Sequence, residues 1–141
     1  MNSVKNFQDV YNQLDRNNLD LLKSIYSDDI QFIDPIHEIN GYSELKSYFE
    51  SMYSNSGYTR FIFGEEALQG DICTLQWRME LQHKKLNRGR HFSIDGISIL
   101  RFDTNGKVHY HRDYYDLGAL IYERIPLIGS IISYIKGRLA K

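Results

Sequence analysis

The most distinctive string in the chain is His109-Tyr110-His111-Arg112-Asp113-Tyr114-Tyr115-Asp116. Strand alternation puts His109, His111, Asp113 and Tyr115 on one face, and Tyr110, Arg112, Tyr114 and Asp116 on the other. Imidazole and carboxylate at alternate positions suit metal ligation or proton transfer. Alternate residues stand about 7 Å apart, and His109 and Asp113 about 13 Å, too far for one ion to take all three. No metal is therefore expected. Proton transfer by Asp113 or His111 remains, against a purely structural network of satisfied polar groups.

Two further groups could do chemistry. Asp34 precedes Pro35, which forces it into extended backbone. A carboxylate opening there into an apolar cavity would be a general base. The bland alternative is a turn carboxylate capping the next backbone N–H groups. Arg78 and Glu80 share one strand face with Gln76. Facing solvent, they are a surface pair. Facing a cavity, they would have to pair with each other to be tolerated.

These groups need elements to position them. Phe7, Val10, Tyr11 and Leu14 recur at helical spacing, and so do Leu19, Leu22, Ile25 and Tyr26 after a polar break. The pattern predicts two consecutive helices ended by Asp28-Asp29. An extended segment, Ile30 to Ile33, follows. Ser43 then caps a helix whose face is Leu45, Tyr48, Phe49 and Met52. Four strands come next, at Thr59 to Leu68, Ile72 to Lys84, His91 to Phe102 and Lys107 to Asp116. Turns at Gly70-Asp71, Asn87-Arg88-Gly89 and Thr104-Asn105-Gly106 separate them. In the second strand Cys73, Leu75, Trp77, Met79 and Leu81 form a core-like face. The class is α+β, with helices covering one face of a curved antiparallel sheet and a cavity between the layers.

Composition sets limits. A chain of 141 residues is one domain by default. Its net charge of −1 excludes a basic nucleic-acid footprint. A single cysteine, Cys73, excludes an internal disulfide and reads as a buried, inert thiol. The first residues hold no apolar run, and no stretch has the roughly 20 apolar residues a bilayer span needs. A cytoplasmic location is the expectation. Aromatic content is high, with 11 Tyr, 7 Phe and 1 Trp. Phe49, Tyr53, Phe61, Trp77 and Phe92 are candidates for the walls of one cavity. The charge is also uneven. Residues 117–141 carry +3 and residues 1–116 carry −4. In that tail Leu117, Leu120, Ile121 and Ile125, then Ile128, Ile131, Ile132, Ile135 and Leu139, are helically spaced around Pro126 and Gly129. The tail is expected to pack over the cavity mouth or a partner subunit. Lying on an anionic membrane through residues 127–141, or acting as a lid, are the alternatives.

The helix pair, Tyr26-Ser27-Asp28-Asp29, Asp34-Pro35, Gly106-Lys107-Val108 and Arg112-Asp113-Tyr114-Tyr115-Asp116 together resemble the nuclear transport factor 2-like superfamily, and within it the SnoaL-like group. The resemblance covers residues 5 to 117. It implies a cone-shaped sheet wrapped around the N-terminal helices, a deep pocket, and often a homodimer through the outer sheet face. It leaves function open, because the fold hosts isomerases, cyclases, hydrolases and non-catalytic members. Asp34 falls where ketosteroid isomerases carry their general base. Val10 and Ser98 fall where those enzymes carry oxyanion donors. Arg78-x-Glu80 and Asp113 fall where limonene epoxide hydrolases carry their Arg-x-Asp and later aspartate. In SnoaL-like cyclases an acid on the last strands is the base, a role open to Asp113.

The expected domain is residues 1–116, with 117–141 as an amphipathic tail. The expected activity is cofactor-independent acid/base chemistry on a small apolar cyclic substrate. Asp113 would be base or acid, Arg78 its electrostatic partner and Glu80 the second carboxylate, with Asp34, His111 and Ser98 completing the pocket. The alternatives are a non-catalytic small-molecule-binding module and an adaptor that docks through its tail.

Overall fold

A computed structural model describes residues 2–83, 87–120 and 128–141. Helix α1, Ser3–Gln13, is capped by Asn2, whose side chain accepts the Lys5 N–H at 3.0 Å. Its Val4, Phe7, Val10 and Tyr11 are buried. The expected second helix is only a 3-10 turn, Leu19–Ser24. Tyr26 opens strand β1, Tyr26–Ile33, instead. The reason lies far away in sequence. The Val108 N–H donates to the Ile25 carbonyl at 2.7 Å, and from there strand β6, Val108–Tyr115, pairs with β1 in parallel. This long-range ladder overrides the local helical spacing.

Strand β2, Glu38–Asn40, returns along β1 after the Asp34-Pro35 corner. Gly41 then turns at φ +92°, a conformation open to glycine, and accepts the Leu45 N–H at 3.1 Å. Helix α2, Tyr42–Asn55, therefore follows directly on Gly41, and Ser43 lies inside its first turn rather than capping it. Strands β3 (Ser56–Gln69), β4 (Ile72–His83) and β5 (Phe92–Phe102) follow. The sheet is curved and open, in the order β2-β1-β6-β5-β4-β3. It is antiparallel throughout except at β1·β6. The α+β expectation holds, with one parallel seam added.

Helices α1 and α2 cover the inner face. Tyr11, Leu22, Leu45, Phe49 and Tyr53 pack there with Cys73, Leu75 and Leu100. Burial and then the nearby Glu66 carboxylate push the Cys73 thiol up to about 11, so it is an unreactive core group. The tail continues as α3, Leu117–Leu120, and α4, Ile128–Leu139. The spacing read at Ile121 and Ile125 lies outside the described residues. Lys136 of α4 pairs with Asp116, while Ile131, Tyr134, Ile135 and Leu139 stand exposed. Among the described residues no helix is long and apolar enough to cross a membrane.

Register places the inner-face residues in rows. Phe63, Trp77, Gly96 and Tyr115 form one row across β3 to β6, and Leu75, Ser98 and Asp113 the next. The Trp77 ring occupies the space a side chain at position 96 would take. A Cβ built there would lie 2.3 Å from Trp77 Cη2. Gly96→Ala is therefore expected to lower stability by about 1–3 kcal/mol through overpacking. Urea unfolding checks this. An unchanged midpoint would show that the ring has somewhere else to go.

Candidate functional site

Between the helices and the inner sheet face lies a cavity of about 430 Å³. Phe7 and Tyr11 of α1, Phe49 and Met52 of α2, and Phe61 and Phe63 of β3 form much of its wall. Trp77 and Met79 continue the wall from β4. Into this mostly apolar space come Asp34, His37, Tyr48, Ser98, His111, Asp113 and Tyr115.

The polar groups are ordered by a hydrogen-bonded chain. Trp77 Nε1–H can only donate, and it donates to Ser98 Oγ at 2.8 Å. Ser98 in turn donates its own O–H to Asp113 Oδ1 at 2.5 Å, as the register Ser98↔Asp113 allows. His111 Nε2 meets the same oxygen at 2.6 Å. With Asp113 a carboxylate, Nε2 carries the proton and Nδ1 is an acceptor. Tyr26 O–H then donates to Nδ1 at 2.7 Å, and Tyr11 O–H to Tyr26 at 2.5 Å. Burial, above all, holds the Tyr11 and Tyr26 phenols well above their ordinary range, so both stay protonated. Every proton in the chain thus points toward Asp113 Oδ1. Among the described residues, Oδ2 accepts no hydrogen bond.

Tyr115, two residues on, shares this inner face. Its hydroxyl makes no hydrogen bond among the described residues, although its ring lies 6.3 Å from that of Trp77. Burial, then the charges of Asp34 and Asp113, push its phenol up. It is a protonated donor lining the cavity.

Asp34 is differently employed. Its own N–H donates to the His37 carbonyl at 2.9 Å, closing the turn. Its Oδ1 accepts the N–H groups of Ile36 at 2.8 Å and His37 at 2.6 Å. The His37 imidazole Nδ1 approaches Oδ1 at 3.2 Å and Oδ2 at 3.4 Å. Tyr48 O–H donates to Oδ2 at 3.4 Å. This is the turn-capping carboxylate of the bland reading, set in the cavity wall.

Of the residues singled out in sequence, Asp34, Ser98, His111, Asp113, Phe49, Phe61 and Trp77 converge on the cavity. Arg78 and Glu80 do not. Strand alternation sends them to the outer face. There Arg78 pairs with Asp95 at 2.9 Å and Glu80 lies 3.9 Å from Arg60. The epoxide-hydrolase-like pairing with Asp113 is thus corrected, because a sheet separates the partners. Tyr53 is buried in the core against Phe49, and Phe92 in a second cluster with Leu81 and Ile94. Neither is among the cavity-lining residues. Sequence reasoning missed His37, Tyr48, Tyr11 and Tyr26. A histidine three residues after Asp34, in Asp-Pro-Ile-His, was the one local signal for the first.

The model of the SnoaL-like domain matches residues 7–111. The chain belongs to that family. Comparison with curated protein sequences gives no match. Solved structures similar to this SnoaL-like domain share its fold at low identity. A nuclear transport factor 2-like protein of unknown function from Exiguobacterium superposes with a TM-score of 0.68 at 21% identity, over 82% of this chain and 99% of that one. TerC, co-crystallised with polyporic acid, gives 0.71 at 17%, over 83% of this chain and 93% of its own. A ketosteroid isomerase-like fold from Catenulispora acidiphila, in complex with trimethylamine, gives 0.71 at 15%, over 84% and 88%.

The direction of the hydrogen-bonded chain makes its members unequal. Tyr26→Phe orphans both the Tyr11 hydroxyl proton and His111 Nδ1, and each buried orphan costs about 1–3 kcal/mol. Tyr11→Phe removes only the terminal donor. Urea unfolding should show the first variant as the less stable by about 1 kcal/mol or more. Equal losses would show that Tyr26 does not link Tyr11 to His111.

Proposed function

We propose that this SnoaL-like domain removes a proton from carbon in a small, largely apolar cyclic carbonyl compound, without a metal or organic cofactor. One observation carries the reading: Asp113 lines an apolar cavity with Oδ1 anchored by two donors and, among the described residues, Oδ2 accepting none. A carboxylate held this way keeps a lone pair aimed by fixed neighbours, which is what a general base requires. The enolate oxygen that forms needs donors. Tyr115 is the neutral phenol at hand in the same wall. The polyporic acid co-crystallised with TerC and the ketosteroid isomerase-like fold of the Catenulispora protein support a carbonyl-bearing cyclic ligand as the class to test first.

A second reading, a ligand-binding module without chemistry, is favoured by Asp34. Its carboxylate is taken up by the turn, so among the described residues only one carboxylate lining the cavity has an open oxygen.

The probe is 2-tetralone in D2O, with α-hydrogen exchange followed by NMR. Binding is followed by fluorescence of Trp77, the only tryptophan and a wall residue. The protein should accelerate exchange, and Asp113→Asn should lower the rate by about 100-fold or more. Glu80→Gln, on the outer face, should leave it unchanged. Quenching without exchange would select the binding module. Neither effect would remove both readings for this ligand class.

A further inference from the structure

An amphipathic helix on a globular domain turns its apolar stripe toward the core. Helix α4 does the reverse. Gly129 is buried, Ile132 is half-buried and Lys136 pairs with Asp116. These positions, at i, i+3 and i+7, mark the edge turned toward the domain. Ile131, Tyr134, Ile135, Arg138 and Leu139 fall at i, i+3, i+4, i+7 and i+8, on the face turned away. The four apolar members are 52%, 67%, 50% and 81% exposed. A helix this short is marginal in water unless one face is packed. Among the described residues nothing covers this one.

Charge indicates what does. Residues 124–141 hold Arg124, Lys136, Arg138 and Lys141 and no carboxylate, whereas residues 1–116 carry −4. Asp116 neutralises Lys136, but Arg138 lies in the outward face among apolar side chains. A second copy of α4 would meet this face with another arginine and no acid. A bilayer with anionic headgroups offers both halves of the match: an acyl boundary for the isoleucines and the leucine, and phosphates for Arg138 and Lys141. The amphipathic ring of Tyr134 suits the headgroup level. The Arg138 stem can lie along the apolar face while its guanidinium reaches the phosphates. With 12 residues the helix is too short to span a bilayer, so it would lie in the interface plane.

We infer that α4 seats this protein on an anionic lipid bilayer, with Ile131, Ile135 and Leu139 at the acyl boundary and Arg138 among the phosphates. Residues 117–141 lie beyond the stretch matched by the family model, so the seat is an addition to the domain. It is independent of the role proposed for Asp113. The tail is nevertheless rooted beside the cavity. Ala119 of α3 packs with Met79 and Tyr115 on the cluster of Leu81, Phe92 and Ile94, and Met79, Leu81 and Tyr115 line the cavity.

The test is co-sedimentation of the full chain with sucrose-loaded vesicles, made of phosphatidylcholine alone or of equal parts phosphatidylcholine and phosphatidylglycerol. Binding is expected to the mixed vesicles only, and should weaken steeply with added salt. Leu139→Ser should weaken it about tenfold or more, with an unchanged urea midpoint because the side chain is exposed. Arg138→Gln should weaken it about fivefold. Tyr134→Trp tests the contact without removing it. Brominated lipid should quench the new tryptophan more strongly than it quenches Trp77 in the parent chain. A wild-type protein that does not sediment with mixed vesicles, or that sediments equally with pure phosphatidylcholine, overturns the anionic seat. So does a dimer that Leu139→Ser dissolves, found without vesicle binding, which would give the face to a second copy. Each of these failures leaves the exchange reaction assigned to Asp113 untouched.

Discussion

A buried acceptor must be given its protons, and the fold is organised around one such acceptor. Asp113 Oδ1 takes hydrogen bonds from Ser98 and His111, and each of these is itself held by a second buried donor. The line from Tyr11 to Trp77 runs through α1, β1, β6, β5 and β4, so it crosses every layer that encloses the cavity. An unpaired member would cost more than a paired one gains. Helix α1 therefore cannot slide along the sheet, nor β1 shift against β6, without orphaning a group. The polar site and the core are one construction.

The same constraint explains what was legible in the sequence. Strand alternation depends only on neighbouring residues, so the inner face of β6, with His111 and Asp113, could be read directly. The alternation in β4 also already separated Trp77 from Arg78 and Glu80. It was the resemblance to epoxide hydrolases that drew the latter two toward the cavity. The second helix failed for another reason. Leu19 to Tyr26 has helical spacing, but its fate is decided by a parallel ladder with residues some 80 positions later, which no local pattern encodes. His37 was invisible because its place in the cavity wall comes from turn geometry. Only when Asp34 closes the turn does the imidazole come to rest on the carboxylate.

The cavity survives because large and small residues are placed in opposition. Gly96 lets the Trp77 ring lie flat across β5, where it meets Phe61 at 5.7 Å, edge to face. Had position 96 carried a side chain, the ring would be driven toward the helices and into the empty volume. The aromatic excess noted in the composition is thus divided between two tasks. Phe61, Phe49 and Trp77 wall the space, whereas Tyr53 and Phe92 fill the packing behind it.

Two carboxylates at the ends of adjacent strands now differ in the number of donors each receives. Asp34 meets two backbone N–H groups, an imidazole and a phenol, which between them engage both oxygens. Among the described residues, Asp113 meets two donors on one oxygen and none on the other. A saturated carboxylate orients its surroundings, whereas a half-saturated one has capacity for a proton. Residue type could not distinguish them, since both are aspartates entering an apolar space. The distinction comes from backbone. A proline corner brings N–H groups back onto Asp34, while the straight ladder of β6 turns its N–H groups sideways to β5 and β1 and leaves Asp113 to side-chain donors alone. On the proposed reading, the base therefore belongs to the straight strand, while the turn consumes its own carboxylate in holding itself together.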